Sequence, residues 1–200
     1  AHVFANWISP STANPYPPSP LVRGRKGGGI PELPAIALIV SGGHTDLMLL
    51  NSLTDWQWVG GTRDDAAGEA FDKAARAMGF PYPGGPMIAK AAEMATDQIP
   101  EDLKLPRPMI HENNLEMSFS GLKTAVVQTM TANRERFSND LNLLNSFARE
   151  FNQAVAEVLI KKTMMAAGQY QPKSVLLAGG VAANTSLREG LAKAVKGAGL

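Results

Sequence analysis

Cysteine is absent from all 200 residues, which excludes disulfides and thiolate metal sites together. A reducing cytosol fits that absence without being required by it. An excess of one charge is lacking too: 19 basic against 18 acidic residues leave a net charge of +1, so no overall field marks a nucleic-acid binder. A local basic patch on a neutral protein would still suffice for RNA. No apolar run reaches the roughly eighteen residues of a membrane span. The amino terminus also lacks a basic-then-apolar signal peptide. Together these absences predict a soluble, cytoplasmic chain with no membrane partner. Histidine is scarce, with only His2, His44 and His111 and no His-x-x-x-His pair, so internal spacing supports no metal site.

What is present is a 44% hydrophobic chain, enough for one sizeable core or two small lobes. Residues 10–34 hold seven of the fourteen prolines and a glycine triplet, a composition that predicts a mobile surface loop. Arg23, Arg25 and Lys26 in that loop offer contact to a polyanion, although such a charge run is ordinarily just solvated. Both ends look cut. Residue 1 is Ala, and "NTSLREGLAKAVKGAGL" closes as a helix where an alternating strand–helix pattern calls for another strand. An internal fragment is the expectation.

From Ala35 the pattern is regular. Ile36–Val40 is a short apolar run suited to a buried strand, and Thr45–Leu50 reads as its hairpin partner. "TDWQWVGGTRDD" supplies a further strand. Ala67, Phe71, Ala74 or Ala75, and Met78 recur at helical spacing before Gly79 and Pro81. A second helix is expected at "GGPMIAKAAEMA", with Pro86 at its first position. "MSFSGLKTAVVQTM" and a long segment from Asp140 to a stop near Gly168 give two more. "KSVLLAGGVAANTSLREGLAKAV" is strand, glycine turn and helix, which makes the class α/β.

Three glycine pairs attract attention, each with two readings. Gly179-Gly180 ends a strand just before a helix, so its backbone offers N–H groups to an anion or polar ligand. Asn184 or Thr185 would equally well cap that helix and do nothing else. "YPGGP", Tyr82 to Pro86, repeats the pattern, or is an ordinary inter-helix loop. "VSGGHT" is an ordinary hairpin connection, yet Ser41, His44 and Thr45 gather polar groups at one strand end. On the first helix, Glu69–Lys73 and Asp72–Arg76 have the acid-before-base spacing of surface ion pairs. Asp72 also borders the apolar face, where a carboxylate can accept ligand hydroxyls at the mouth of a cleft.

The ordered set "LIVSGGHTDL", "TRDDAAGEAFDKAARAMGFPYPGGP", "RPM", "SFSGLKTAV" and "LLAGGVAAN" resembles the TsaD family over roughly residues 35–200. These are the tRNA N6-adenosine threonylcarbamoyltransferases, once labelled O-sialoglycoprotein endopeptidase. The resemblance implies an actin/sugar-kinase/Hsp70-like (ASKHA) fold. Residues 35–200 would be most of its second lobe, a mixed sheet with a hairpin, flanking helices and a helical insertion around 66–134. Residues 1–34 would carry one metal histidine and the loop, with the first lobe and C-terminal end missing.

The implied activity is transfer of the threonylcarbamoyl group from threonylcarbamoyl-adenylate to N6 of the adenosine beside the anticodon of tRNA, the t6A modification. The resemblance places substrate contacts on Ile39, Val40, Ser41, Gly42, Gly43, Asp72, Gly85 and Asn184. It makes His2 a ligand of one divalent metal ion, iron or zinc, whose other ligands lie outside the chain. It implies partners of the TsaB and TsaE types and assigns no catalytic residue. A nucleotide-binding ATPase or scaffold of the same fold, and a metalloprotease, are the alternatives. No His-Glu-x-x-His supports the latter.

Overall fold

The computed structural model describes residues 31–200, so His2 and the loop cations Arg23, Arg25 and Lys26 lie outside the described residues. Strands β1 (Ala35–Val40) and β2 (Thr45–Leu50) form the expected hairpin, and β3 (Trp56–Thr62) extends it antiparallel. Two further strands complete a five-stranded mixed sheet ordered β4-β3-β2-β1-β5. Strand β4 (Glu116–Met117) runs parallel to β3, and β5 (Ser174–Ala178) runs parallel to β1. A bulge between Leu47 and Met48 leaves Val59 outside the β2–β3 register.

Six α-helices follow in the described chain: α1 (Ala67–Ala77), α2 (Gly84–Met94), α3 (Ser120–Ala132), α4 (Arg134–Asn139), α5 (Leu141–Tyr170) and α6 (Thr185–Gly197). Alternation divides the sheet. Ile36, Leu38, Val40, Leu47, Leu49, Val175 and Leu177 join the helices in one core, each buried aliphatic side chain contributing about 1.5–3 kcal/mol. Phe71 of α1 meets Phe151 of α5 edge-on at 5.3 Å inside it. Ala35, Ala37, Leu50 and Leu176 cluster on the other face with Met48 and Trp56. This is the α/β lobe, mixed sheet with hairpin and flanking helices, that the family resemblance implies.

Three local expectations need correction. Helix α2 begins at Gly84, two residues earlier than expected, so Pro86 is its third residue. A proline is tolerated there because the first-turn N–H groups have no intrahelical acceptor anyway. Helix α5 runs through Gly168 and stops at Gln171, whose φ of 47° closes it in the left-handed conformation. Burial of Ala166 and Ala167 carries the helix past a glycine that alone would weaken it by only about 1 kcal/mol. Asp72 forms no ion pair with Arg76 among the described residues; its Oδ1 accepts the Gly84 N–H at 2.8 Å instead. The Glu69–Lys73 pair is present at 2.7 Å.

Candidate functional site

The parallel strands β1 and β5 end side by side, and turns leave both at their carboxyl ends, where ligands of α/β proteins bind. Gly179, immediately after β5, has φ of 98°. A Cβ there would sit 2.1 Å from the Val40 carbonyl oxygen, so only glycine brings the two strand ends this close. Gly84 has the same office between helices: a Cβ would lie 2.7 Å from both the Phe71 oxygen and the Asp72 Cα. The partner glycine of each pair, Gly180 and Gly85, has open space around its would-be Cβ. Each pair therefore packs with its first residue and presents bare backbone with its second.

The space these turns enclose is a cleft of about 400 Å³. Gly42 and Gly68 line it at the end of the hairpin, with Phe71 and Asp72 from α1. Tyr82, Pro83, Gly85, Pro86 and Ala89 contribute from the start of α2, and Gly180, Val181, Ala183 and Asn184 from the turn before α6. Most of the lining is apolar, with the Asp72 and Asn184 side chains as its polar groups beside the Tyr82 phenol. The first turns of α1 and α2 and the N-cap residue of α6 reach this cleft, so the helix amino ends there favour an anionic or electron-rich ligand.

Asn184 does what both of its readings say. Its Oδ1 accepts the Leu187 N–H at 3.1 Å and so caps α6, while its Nδ2 donates to Asn152 Oδ1 at 2.6 Å. An amide of this kind has four hydrogen-bonding positions, so two remain for a ligand. Asn152 is buried and donates onward to Ser186 Oγ at 2.9 Å, which fixes the orientation of the Asn184 amide. Asp72 spends one oxygen on the Gly84 N–H and keeps Oδ2 without a partner among the described residues.

Of the expected substrate contacts, Gly42, Asp72, Gly85 and Asn184 meet in this one cleft. Ile39 and Val40 do not line it. Val40 is buried in the core, and Ile39 lies half-buried in β1. Ser41 works within the turn: its Oγ accepts from the Gly43 N–H at 3.3 Å and the His44 N–H at 3.1 Å. Its carbonyl takes the Gly68 N–H at 3.2 Å, which seats α1 on the hairpin. Gly43 thus has its N–H engaged, and Gly42 is the glycine of the pair whose N–H has no internal acceptor among the described residues.

Two motif segments hold side chains whose structural roles residue patterns did not assign. Asp64 accepts from Ser118 Oγ at 2.6 Å, Phe119 N at 2.8 Å, Ser120 N at 3.2 Å and Ser120 Oγ at 2.7 Å, capping α3 from outside. Burial would raise its carboxyl, but these four bonds outweigh it and hold the group below its ordinary range. Asp65 binds Lys123 at 2.7 Å and Lys73 at 3.0 Å, and the Lys123 bond leads in lowering its carboxyl against the opposing effect of burial. Arg107 of "RPM" pairs with Glu150 and, at 2.8 Å, with Glu157, pinning that segment to α5. Burial opposes its charge, yet the two carboxylates hold the guanidinium above its ordinary range.

Among the described residues no group of three or more His, Cys, Asp or Glu could hold a metal ion. No described helix is long and apolar enough to cross a membrane.

A model of the family described as TsaD, tRNA N6-adenosine threonylcarbamoyltransferase, matches residues 19–199. Among curated relatives, a protein of that name from Chromobacterium violaceum is 47% identical over 192 residues, covering 95% of this chain and 51% of the relative. Its namesake from Moorella thermoacetica is 49% identical over 172 residues, covering 86% and 48%. One from Bacillus subtilis is 48% identical over 160 residues, covering 80% and 44%. The chain spans about half the length of the curated relatives it matches.

Proposed function

The chain belongs to the TsaD family, and from that premise we propose that it is part of an enzyme that transfers a threonylcarbamoyl group to N6 of the adenosine beside the anticodon of tRNA. One observation carries this: four sequence-distant segments bring Gly42, Asp72, Gly85 and Asn184 to a single cleft of nucleotide-compatible size. The donor is threonylcarbamoyl-adenylate. Asp72 Oδ2 accepts hydrogen bonds from its ribose hydroxyls, Gly85 lets the nucleoside lie against bare backbone, and Asn184 bonds the nucleoside end. The Gly42 N–H and the converging helix amino ends lie toward the phosphate and acyl groups.

The chemistry follows from where charge develops. The N6 amine attacks the acyl carbonyl carbon, a carbon–nitrogen bond forms, and the bond from that carbon to the phosphate oxygen breaks. AMP leaves with the electron pair, and the amine loses a proton to solvent. Negative charge grows first on the carbonyl oxygen and then on the departing phosphate, so fixed N–H donors there lower the barrier. Ile39, Val40, Ser41 and Gly43 act through the backbone of this turn, holding Gly42 in position.

A divalent ion, iron or zinc, belongs to the reading through His2, and it would supply Lewis-acid or templating chemistry when bound. The described residues form no site that fits it, so no step here runs through it. A cytoplasmic setting and partners of the TsaB and TsaE types complete the proposal. An ATPase or scaffold role, or proteolysis, has no support in the names of the relatives.

The test is transfer to tRNA in vitro by the full-length protein with its partner proteins and supplied adenylate. Wild type should form the modified adenosine, and Asp72→Ala should not. Equal rates for the two proteins would remove Asp72 from the site.

A further inference from the structure

Helix α5 carries several buried polar side chains that hold neighbouring backbone. Ser146 Oγ donates to the Asp97 carbonyl at 2.9 Å, and Glu150 accepts the Leu105 N–H at 3.0 Å. Lys162 donates to the Glu112 and Asn114 carbonyls. Asn152 is spent differently. It is 3% exposed and does not line the cleft, yet its Oδ1 accepts from Asn184 Nδ2 at 2.6 Å. Its own Nδ2 donates to Ser186 Oγ at 2.9 Å. All three residues lie within the described chain, so this link does not depend on what packs over the cleft.

One backbone group sets the sense of every bond in the link. The Leu187 N–H can only donate, so Asn184 turns its Oδ1 toward it and its Nδ2 toward Asn152. Asn152 must meet that amide with its carbonyl oxygen, which leaves its Nδ2 for Ser186, whose hydroxyl can accept. Held at both ends, the Asn184 amide cannot flip, and its remaining N–H and lone pair keep one direction. A side chain fixed before a ligand arrives loses little freedom when the ligand binds. Without the Asn152 oxygen the amide is held by the cap alone, and the ligand must order it. Resting on the acyl-transfer reading above, we propose that Asn152 is a positioning residue for the donor substrate. From outside the cleft it holds the Asn184 amide ready for the nucleoside end of the adenylate, and it touches neither substrate.

The experiment measures adenylate Kd by calorimetry, and transfer kinetics, on the full-length protein with its partner proteins. Asn152→Leu, similar in size but without the accepting oxygen, should weaken adenylate binding about fivefold, the cost of ordering one polar side chain. KM for the adenylate should rise in step, while kcat and KM for tRNA stay within about twofold. Asn152→Ala, which suits a helix interior and cannot overfill the site, should match it. Asn152→Asp keeps an oxygen for Asn184 and lets the Ser186 hydroxyl turn to donate, so it should bind within about twofold of wild type. In an Asn184→Ala background, Asn152→Leu should weaken binding no further, because no amide is left to position.

Wild-type affinity in both Asn152→Leu and Asn152→Ala would overturn the proposal. So would a further loss of about fivefold from Asn152→Leu on top of Asn184→Ala, the additivity expected if Asn152 merely fastened α6 to α5. Equal losses in Asn152→Asp and Asn152→Leu would also overturn it, since the accepting oxygen would then not matter. A wild type that binds the adenylate and transfers nothing would strike the acyl-transfer reading, while the cycle of Kd values still decides on Asn152. Failure of wild type to bind the adenylate would overturn both.

Discussion

Asp64 and Asp72 stand on one short stretch of chain, yet their surroundings differ completely. The region around Asp64 is saturated: four donors from residues 118–120 converge on its carboxylate, and its neighbour Asp65 holds two lysines. The region around Asp72 is left open, with one donor, the Gly84 N–H, and an oxygen facing a cleft. Residue type and sequence neighbourhood do not separate these roles; counting filled hydrogen-bond positions does. A carboxylate whose valences are all met inside the fold is architecture. One with an unmet valence at a cleft is positioned for a ligand.

The contrast can be broken most forcefully at Asp72. Asp72→Ala should cut transfer by about a hundredfold or more, because a charged acceptor for ligand hydroxyls is lost. Its cost in stability should be only about 1 kcal/mol, for one bond to Gly84. Kinetics paired with denaturant melts separates the two quantities. Asp64→Ala should do the reverse. It should lower stability by about 1–2 kcal/mol, discounted for the exposure of the site, and leave activity per folded molecule within about twofold.

Asn184 lies between the extremes, since it caps α6 and faces the cleft. Asn184→Ala should weaken adenylate binding about tenfold by calorimetry and lower stability by about 1 kcal/mol. Asn184→Asp keeps the cap acceptor but turns an oxygen toward Asn152 Oδ1 in place of the donating amide, so it should recover only part of the stability and none of the binding.

Acid gives a smaller effect with a fixed sign. The Asp64 and Asp65 carboxyls lie below their ordinary value of 3.8 in the folded protein. The stability they contribute is complete above that value and is lost as pH falls through the depressed folded pKa values. Melts from pH 6 down to pH 2 should therefore show a smaller acid loss in Asp64→Asn than in wild type. Smallest of all, Glu69→Gln breaks an exposed helix pair and should move the melting temperature by no more than about 1 °C in a standard thermal melt.

Short-range features were legible in the sequence. The strands at Ile36–Val40 and Thr45–Leu50 were readable because a continuous apolar run and its alternating partner are local signals. The helix after Asp65 was equally plain. What escaped depends on partners far along the chain. No local pattern tells Asp64 that it will cap a helix beginning at Ser120. Nor does one predict that Lys162, on a helix of mostly apolar contacts, will be fully buried with Nζ on the Glu112 and Asn114 carbonyls at 2.9 and 2.7 Å. The Asp72–Arg76 expectation failed for the same reason: the competing donor, Gly84, arrives from another helix. Of the candidate site, the motif resemblance named the residues, while the division of the Gly84–Gly85 and Gly179–Gly180 pairs into a packing and an open member needed coordinates.

The parallel pairing of Ala35 with Ser174 and of Ile39 with Ala178 joins strands at nearly opposite ends of the described chain. Such closure is entropically expensive and slow to form, since everything between must be gathered first. The cleft lies at the ends of those two strands and takes its walls from helices gathered between them and from the turn that follows β5. It therefore does not exist in any partly folded chain that lacks the β1–β5 seam. A ligand of the cleft is then a reporter of completed folding: on refolding, its binding signal should rise with the last phase, never ahead of it.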